Sequence, residues 1–300
     1  MKRTIAVIVS ALISFIVIPV VSASGSTGTP WPELRHQFDY QRTAIQVTEV
    51  GRTRRAGVVV HDITYRAVGQ QPVSAYLVTP TRSGRHPAAL FLHWLDSAAD
   101  SNRGEFLDEA VALAAGPQHV ISLLPQLVFP FDFGPVGDVR DRRSIIDQVV
   151  QLRRGLDLLD ARHDVQRNRV AVIGHDYGAM YGTLVAAVDR DRVHADVVMA
   201  ADSTWVNWFV TFFLDLPADQ IAPYTATLAS LDPIQFIAHA PRHLLLQYAT
   251  DDFFIPLSVA QSMRDAARPT ATLNTYPTDH ALDVRAAIRD RDAFLAQVLR

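Results

Sequence analysis

The chain has 300 residues, 28 basic and 31 acidic side chains, 49% hydrophobic residues and no cysteine. That composition excludes a disordered tail, which lacks core-forming side chains, and a disulfide scaffold or thiolate metal site. A formal charge of −3 offers no positive field to gather phosphates, which argues against nucleic acid as a partner.

The N-terminus reads as an export signal. Lys2 and Arg3 precede the apolar run Ile5–Val21, broken only by Ser10, Ser14 and Pro19, and Val21, Ser22 and Ala23 lead to a cleavage point before Ser24. An uncleaved membrane anchor is the alternative. Residues 1–23 are thus expected to be removed, 24–56 to form a flexible lead-in, and 57–300 to fold as one domain. The mature chain should be secreted or periplasmic, without a stable membrane span.

Val58–Arg66 and Val73–Val78 are β-patterned, and the turn residues 68–72 between them predict a hairpin. Ala88–His93 is a short continuous apolar run, as expected of a strand buried on both faces. Helical spacing follows over Glu105–Ala115 and ends at Gly116-Pro117. Val120–Leu124 predicts a strand, and Asp138–Leu159 a long amphipathic helix with Ile145, Val149, Leu152, Leu156 and Leu159 on one face. Arg169–Ile173, Ala195–Met199, His243–Tyr248 and Thr272–Tyr276 read as further strands. Ala179–Val188, Leu257–Ala267 and Ala281–Leu299 read as helices. Strands alternating with helices imply a three-layer α/β domain with a mostly parallel sheet, edged by the antiparallel hairpin.

Ligands of such sheets bind at the C-terminal ends of the strands. That selects His93, Trp94, Gln126, His175, Asp176, Asp202, Asp251, Asp252 and His280. One interval breaks the rhythm: about 203–240 is rich in Trp205, Trp208, Phe209, Phe212 and Phe213, where a short crossover would suffice. It reads equally as a small helical lid or as core helix. Trp205, Trp208 and Tyr224 are its candidate pocket residues, and Phe129–Pro135 is a second candidate wall.

Gly174-His175-Asp176-Tyr177-Gly178 lies between a buried strand and a helix. This is the context of a nucleophile elbow, in which a tight strained turn lifts one side chain over the sheet. The N–H of Tyr177, at a helix N-terminus, would face the reacting atom. At these residues the chain resembles the α/β-hydrolase superfamily, over nearly all of Val58–Leu299. Its body looks most like the dienelactone hydrolase-like branch, through the hairpin, the strand ending at His93, Asp232-Pro233-Ile234, and Asp252-Phe253-Phe254-Ile255-Pro256. The resemblance implies Asp252 as the acid, four residues before the Pro, and His280 of Pro277-Thr278-Asp279-His280 as the base.

The elbow departs from that branch, which carries Cys or Ser there. Asp176 resembles instead the Gly-x-Asp-x-Gly elbows of epoxide hydrolases and haloalkane dehalogenases, often preceded by His. Those families usually have Trp where this chain has Tyr177. Epoxide hydrolases usually have His-Gly-x-Pro where this chain has His93-Trp94-Leu95-Asp96, and cap tyrosines where only Tyr224 is found. A carboxylate attacking an ester carbonyl would give an uphill anhydride, whereas attack on an sp³ carbon gives an ordinary ester. The expectation is therefore a cofactor-free hydrolase of small molecules, of epoxide or alkyl halide type, working through an Asp176 ester. Asp252 would orient His280, and the N–H groups of Tyr177 and Trp94 would form the oxyanion hole. Asp202 and Asp251 are rival acids. His93 and His175 read as structural rather than reactive. No metal is expected, since His239 and His243 are separated by Pro241. Two other readings stay open: an ester or lactone hydrolase with Asp176 as general base, and a non-catalytic binding protein on a hydrolase fold.

Overall fold

The structure is a computed structural model and describes residues 29–55, 57–67, 71–95 and 101–300. The expected signal at 1–23, most of the hairpin turn (68–70) and Asp96 lie outside the described residues. In chain order the elements are α1 (Trp31–His36), β1 (Ile45–Arg55), β2 (Val58–Ala67), β3 (Val73–Pro80), β4 (His86–Leu92), α2 (Leu107–Ala115), β5 (Ile121–Pro125) and α3 (Val139–Ala161). They continue with β6 (Val165–His175), α4 (Tyr177–Val188), β7 (Val193–Met199), α5 (Trp205–Phe212), α6 (Ala218–Leu228), α7 (Pro233–Phe236), β8 (His243–Ala249), α8 (Leu257–Ala266), β9 (Thr272–Tyr276) and α9 (Arg285–Val298). Among the described residues, no helix is long and apolar enough to cross a membrane.

The strands form one nine-stranded sheet in the order β1-β2-β3-β5-β4-β6-β7-β8-β9. β1, β2 and β3 pair antiparallel, and β3 joins the rest antiparallel to β5. From β5 onward all pairings are parallel. Burial explains the sequence pattern. β4 and β5 are buried along their whole length, so apart from His86 and Ser122 each is apolar instead of alternating. One core cluster takes in side chains of α3, α4 and α8, and the other takes in α2 and α9, on the opposite face. Every residue of α4 is buried, because the sheet, α3 and α7 enclose it; its sequence is accordingly apolar all round.

The lead-in differs from expectation. Residues 24–56 were expected to be flexible, yet they carry α1 and β1. Leu34 of α1 and Phe38 of the turn after it are buried, and Phe38 packs on Phe236 at 5.7 Å. Buried arginines of α3 then hold the backbone. Arg153 donates to the Phe38 carbonyl at 2.6 Å and pairs with Asp189 at 2.7 Å, and Arg154 donates to the Thr43 carbonyl. β1 is missed for a plain reason: most of it is exposed, so its sequence shows no apolar alternation.

The interval 203–240 has an inner and an outer side. Its inner side is core: Trp205, Phe209, Leu228 and Phe236 are fully buried. Its outer side, with Trp208, Phe212 and Phe213, covers the C-terminal ends of the strands beside Tyr177 and Phe254.

Candidate active site

β6 runs straight into α4, and Asp176 stands between them at φ 54°, ψ −119°. A non-glycine residue there carries strain of about 1–3 kcal/mol. The surrounding bonds hold it. The Asp176 N–H donates to the Met199 carbonyl at 2.9 Å, and its carbonyl accepts from the N–H groups of Ala179 and Met180, both at 3.0 Å. The two elbow glycines are required by space. A Cβ on Gly174 would run into the backbone of Gly178, and one on Gly178 would run into the backbone of Leu92. The Tyr177 N–H opens α4, so it has no carbonyl one turn back to bond.

His280 faces Asp176 from the loop after β9. Its Nδ1 lies 2.8 Å from Asp252 Oδ2, and its Nε2 lies 4.0 Å from Asp176 Oδ2. The first is a hydrogen bond and the second an ion-pair distance. Asp252 is held in turn, its Oδ1 accepting from the N–H groups of Phe254 (2.8 Å) and Ile255 (3.0 Å). Burial opposes a charged ring at His280, but the carboxylates of Asp176 and Asp252 outweigh it and push the pKa up to about 9. Burial would raise the Asp252 carboxyl; its bond to His280, the imidazolium charge and the two N–H donors instead hold it below the usual range. Trp94 and Trp208 stack on His280 at 6.0 and 6.2 Å, an arrangement that favours a cationic ring. Asp176 and His280 are buried, yet among the described residues Asp176 Oδ1 and His280 Nε2 have no hydrogen-bond partner. Buried polar atoms are rarely left so without a function or an absent water.

Of the rival acids, neither reaches His280. Asp202 is buried and accepts from the Thr204 N–H (3.2 Å) and Asn207 Nδ2 (2.5 Å), bracing the start of α5. Asp251 is exposed and takes a bond from Thr250. His93 is structural as expected. Its Nε2 accepts from the Leu127 N–H at 2.9 Å, so its Nδ1 carries the proton that goes to the Trp94 carbonyl at 2.7 Å. Burial lowers its pKa to about 4, which keeps the ring neutral.

Three expectations need correction. The Trp94 N–H is not free for an oxyanion, because it donates to Glu105 Oε2 at 2.6 Å. Trp205 does not line the site; it is fully buried against Tyr181 at 4.7 Å, and its Nε1–H donates to the Leu231 carbonyl. Tyr224 does not supply a free phenol, because its OH donates to Asp141 Oδ2 at 2.6 Å. In each case the residue was placed in the right loop or helix, but its polar atom is already engaged by a partner distant in sequence. Trp208 packs against His280, Phe254 and Tyr177, and its Nε1 and the Tyr177 OH make no hydrogen bond of normal geometry among the described residues.

Two functional carboxylates escaped the sequence reading. Glu105 bonds Trp94 and, through Oε1 at 2.7 Å, His175 Nδ1. Asp141 accepts from the N–H groups of Val136 and Gly137 and from Tyr224, tying the loop after β5 to α3 and α6. Neither has a local signal, since each partner is far away along the chain or part of an unpatterned loop. Phe131 of that loop packs on both His93 and Tyr177, so the loop does wall the site.

These features define an α/β-hydrolase fold. Solved structures with this fold lie nearby. The acetyl xylan esterase 1 of Thermoanaerobacterium sp. JW/SL YS485 superposes with a TM-score of 0.71 at 15% identity, over 90% of this chain and 92% of that one. An S-formylglutathione hydrolase from Agrobacterium tumefaciens gives 0.60 at 13% identity, over 84% and 99%. A candidate dienelactone hydrolase from Klebsiella pneumoniae subsp. pneumoniae MGH 78578 gives 0.53 at 17% identity, over 85% and 100%. No family profile matches the chain, and no curated protein matches it in sequence.

Proposed function

We propose that the protein is a cofactor-free hydrolase of small apolar molecules with an electrophilic sp³ carbon, epoxides or alkyl halides, acting through an ester on Asp176. The observation that carries this is the pairing of Asp176, strained at the elbow with Oδ1 unpartnered, with His280, whose Nε2 is unpartnered 4.0 Å from Oδ2. In the first step an Asp176 oxygen attacks the carbon, and the bond to the leaving halide or epoxide oxygen breaks with its electron pair. The Trp208 Nε1–H and the Tyr177 O–H are the donors we assign to that charge. Attack turns the Asp176 carboxylate into a neutral ester. His280 then loses one of the two charges that sustain its proton, while burial still opposes charge, so its pKa falls. The ring gives up its proton, to the opened epoxide oxygen or, with a halide, to solvent, and as a neutral ring becomes a base at the stage that needs one. It takes a proton from water, which adds to the Asp176 carboxyl carbon; collapse releases the alcohol and restores the carboxylate. Asp252 holds the ring throughout. The Tyr177 N–H is one oxyanion donor; the Trp94 N–H is engaged by Glu105.

The burial of Asp176 and His280 under Trp208 favours small apolar substrates. The leader around Lys2–Ala23 supports export, testable by N-terminal sequencing of the released protein. A second reading, ester hydrolysis with Asp176 as general base, is favoured by the esterases among the fold neighbours.

The test is intact-protein mass spectrometry of His280→Gln soaked with epoxides, haloalkanes and activated esters. An adduct mapped to Asp176 is expected, because ester formation survives and hydrolysis stalls. No adduct, with wild-type ester turnover that Asp176→Asn abolishes, would replace this reading with the second. No adduct and no turnover would leave a binding protein.

A further inference from the structure

His175, the residue before Asp176, is buried and bonded at both ring nitrogens. Its Nδ1 lies 2.7 Å from Glu105 Oε1, and its Nε2 lies 2.8 Å from the backbone carbonyl of His280. The other Glu105 oxygen accepts the Trp94 N–H at 2.6 Å. The Trp94 ring lies flat on the His175 ring, at 5.0 Å and 8°. One carboxylate and one imidazole therefore join the exit of β4, the elbow and the loop that presents His280. None of these bonds involves the atoms assigned to the reaction above.

We propose that Glu105 and His175 are a positioning pair, which fixes the His280 ring against Asp176 by gripping the His280 backbone carbonyl. The need for such a grip lies in the 4.0 Å separation of Nε2 and Oδ2. A water bonded to both atoms at about 2.8 Å fits beside the line joining them. A much shorter separation would close onto a direct hydrogen bond and displace that water; a much longer one would leave the water bonded to one group only. Asp252 holds the ring at Nδ1 and Trp94, Trp208 and Phe254 pack on it, but none of these contacts fixes the backbone of the loop that carries it. The grip on the carbonyl is a second point of attachment, made from the elbow itself, so the base and the nucleophile move together. Misplacement by about 1 Å costs on the order of a hundredfold in rate.

The charges around His280 make the pair testable without a substrate. Asp176 and Asp252 raise the pKa of His280, so any displacement of the ring from them lowers it. Glu105 touches His175 and Trp94 rather than His280, which lets two variants separate position from charge. Glu105→Gln removes a negative charge and weakens the grip. His175→Gln breaks the grip and leaves the Glu105 charge in place.

The experiment is a nitrogen-15 NMR titration of the His280 ring in the full mature chain, wild type and both variants. The expected result is a midpoint near 9 in the wild type and a fall of about a pH unit or more in both variants. An unchanged or raised midpoint in His175→Gln overturns the proposal, because only the charge of Glu105 would then matter. A kinetic arm rests on the proposed ester chemistry: both variants should accumulate the Asp176 ester, with breakdown slowed about tenfold to a hundredfold and formation little changed. Equal slowing of both steps overturns the proposal. If His280→Gln traps no ester with any substrate, the function reading fails and the NMR arm still decides the positioning role.

Discussion

The proton on His280 should make folding depend on pH in a window where few other groups titrate. Its pKa is raised from 6.5 to about 9, and the side chain is only 7% exposed, so solvent screening is slight. At about 1.4 kcal/mol per pH unit, the shift is worth about 3 kcal/mol. The folded form holds the proton more tightly than the unfolded chain. The stabilisation is therefore complete below pH 6.5 and is lost as pH rises through 9. Asp252 acts at the other end of the scale: its lowered pKa contributes above the ordinary carboxylate value and is lost on acidification. The perturbation is His280→Gln, which keeps a polar side chain and removes the titration. Urea unfolding of both proteins at several values between about pH 6 and 10 gives the difference in stability. That difference should favour the wild type by about 3 kcal/mol more at the acid end than at the alkaline end. Groups common to both chains cancel. Parallel stability curves across this range would refute the idea that Asp176 and Asp252 jointly sustain an imidazolium.

Other perturbations address the frame of the site. Gly178→Ala should destabilise by about 3 kcal/mol or more, because the new Cβ meets Leu92 backbone that cannot yield; thermal unfolding measures it. Asp196, in the middle of β7, is fully buried with neither oxygen hydrogen-bonded, and burial raises its pKa from 3.8 to about 8. A carboxyl held neutral in the fold loses stability as pH climbs between those values, by about 1.4 kcal/mol per unit. Asp196→Val should therefore stabilise the protein, most at pH 8 and above, as read by urea midpoints at two pH values. Arg153→Met removes the bonds to the Phe38 carbonyl and to Asp189, and should cost roughly 3 kcal/mol. It should also open the chain near Phe38–Thr43 to limited proteolysis.

Where burial is uniform, the sequence announces the element. β4, β5 and α4 are enclosed on all sides, so their residues are almost all apolar and the boundaries read from them are close. The elbow is legible for a related reason. Its glycines are forced by backbone contact within a few residues, so the requirement is written locally. Asp252 and His280 were singled out by the family resemblance, from the Pro four residues after Asp252 and the loop after the last strand, and the two side chains meet at 2.8 Å. The polar contacts that decide which atoms are free are different. Glu105 meets His175 across 70 positions, and Tyr224 meets Asp141 across 83. Such pairs leave no periodicity. That is why the Trp94 N–H and the Tyr224 phenol were expected to be available and are not. β1 was hidden for the converse reason: a mostly exposed edge strand needs little apolar surface, and its order comes from pairing with β2 and from buried arginines of α3.

The neighbouring folds include esterases, and the chemistry of this elbow can be set against theirs by one substitution. Asp176→Ser places a hydroxyl at the strained elbow position. It also removes one of the two carboxylates that raise His280, so the ring should titrate well below 9 and serve as a base for the hydroxyl at neutral pH. Asp252 keeps its bond to Nδ1, so a serine, a histidine and an acid would stand in one line. The tetrahedral oxyanion would nevertheless be poorly held. The Tyr177 N–H faces it from the start of α4, but the Trp94 N–H remains bonded to Glu105 at 2.6 Å. A missing oxyanion donor costs about a hundredfold to a thousandfold. The variant should therefore form an acyl-enzyme with activated esters, detectable as a burst, and turn over slowly. A folded variant whose His280 midpoint falls as expected, yet which forms no acyl-enzyme, would show that the elbow does not present its side chain to a substrate carbon. The carboxylate of the natural protein would then lose its standing as a nucleophile as well, because the same turn presents both.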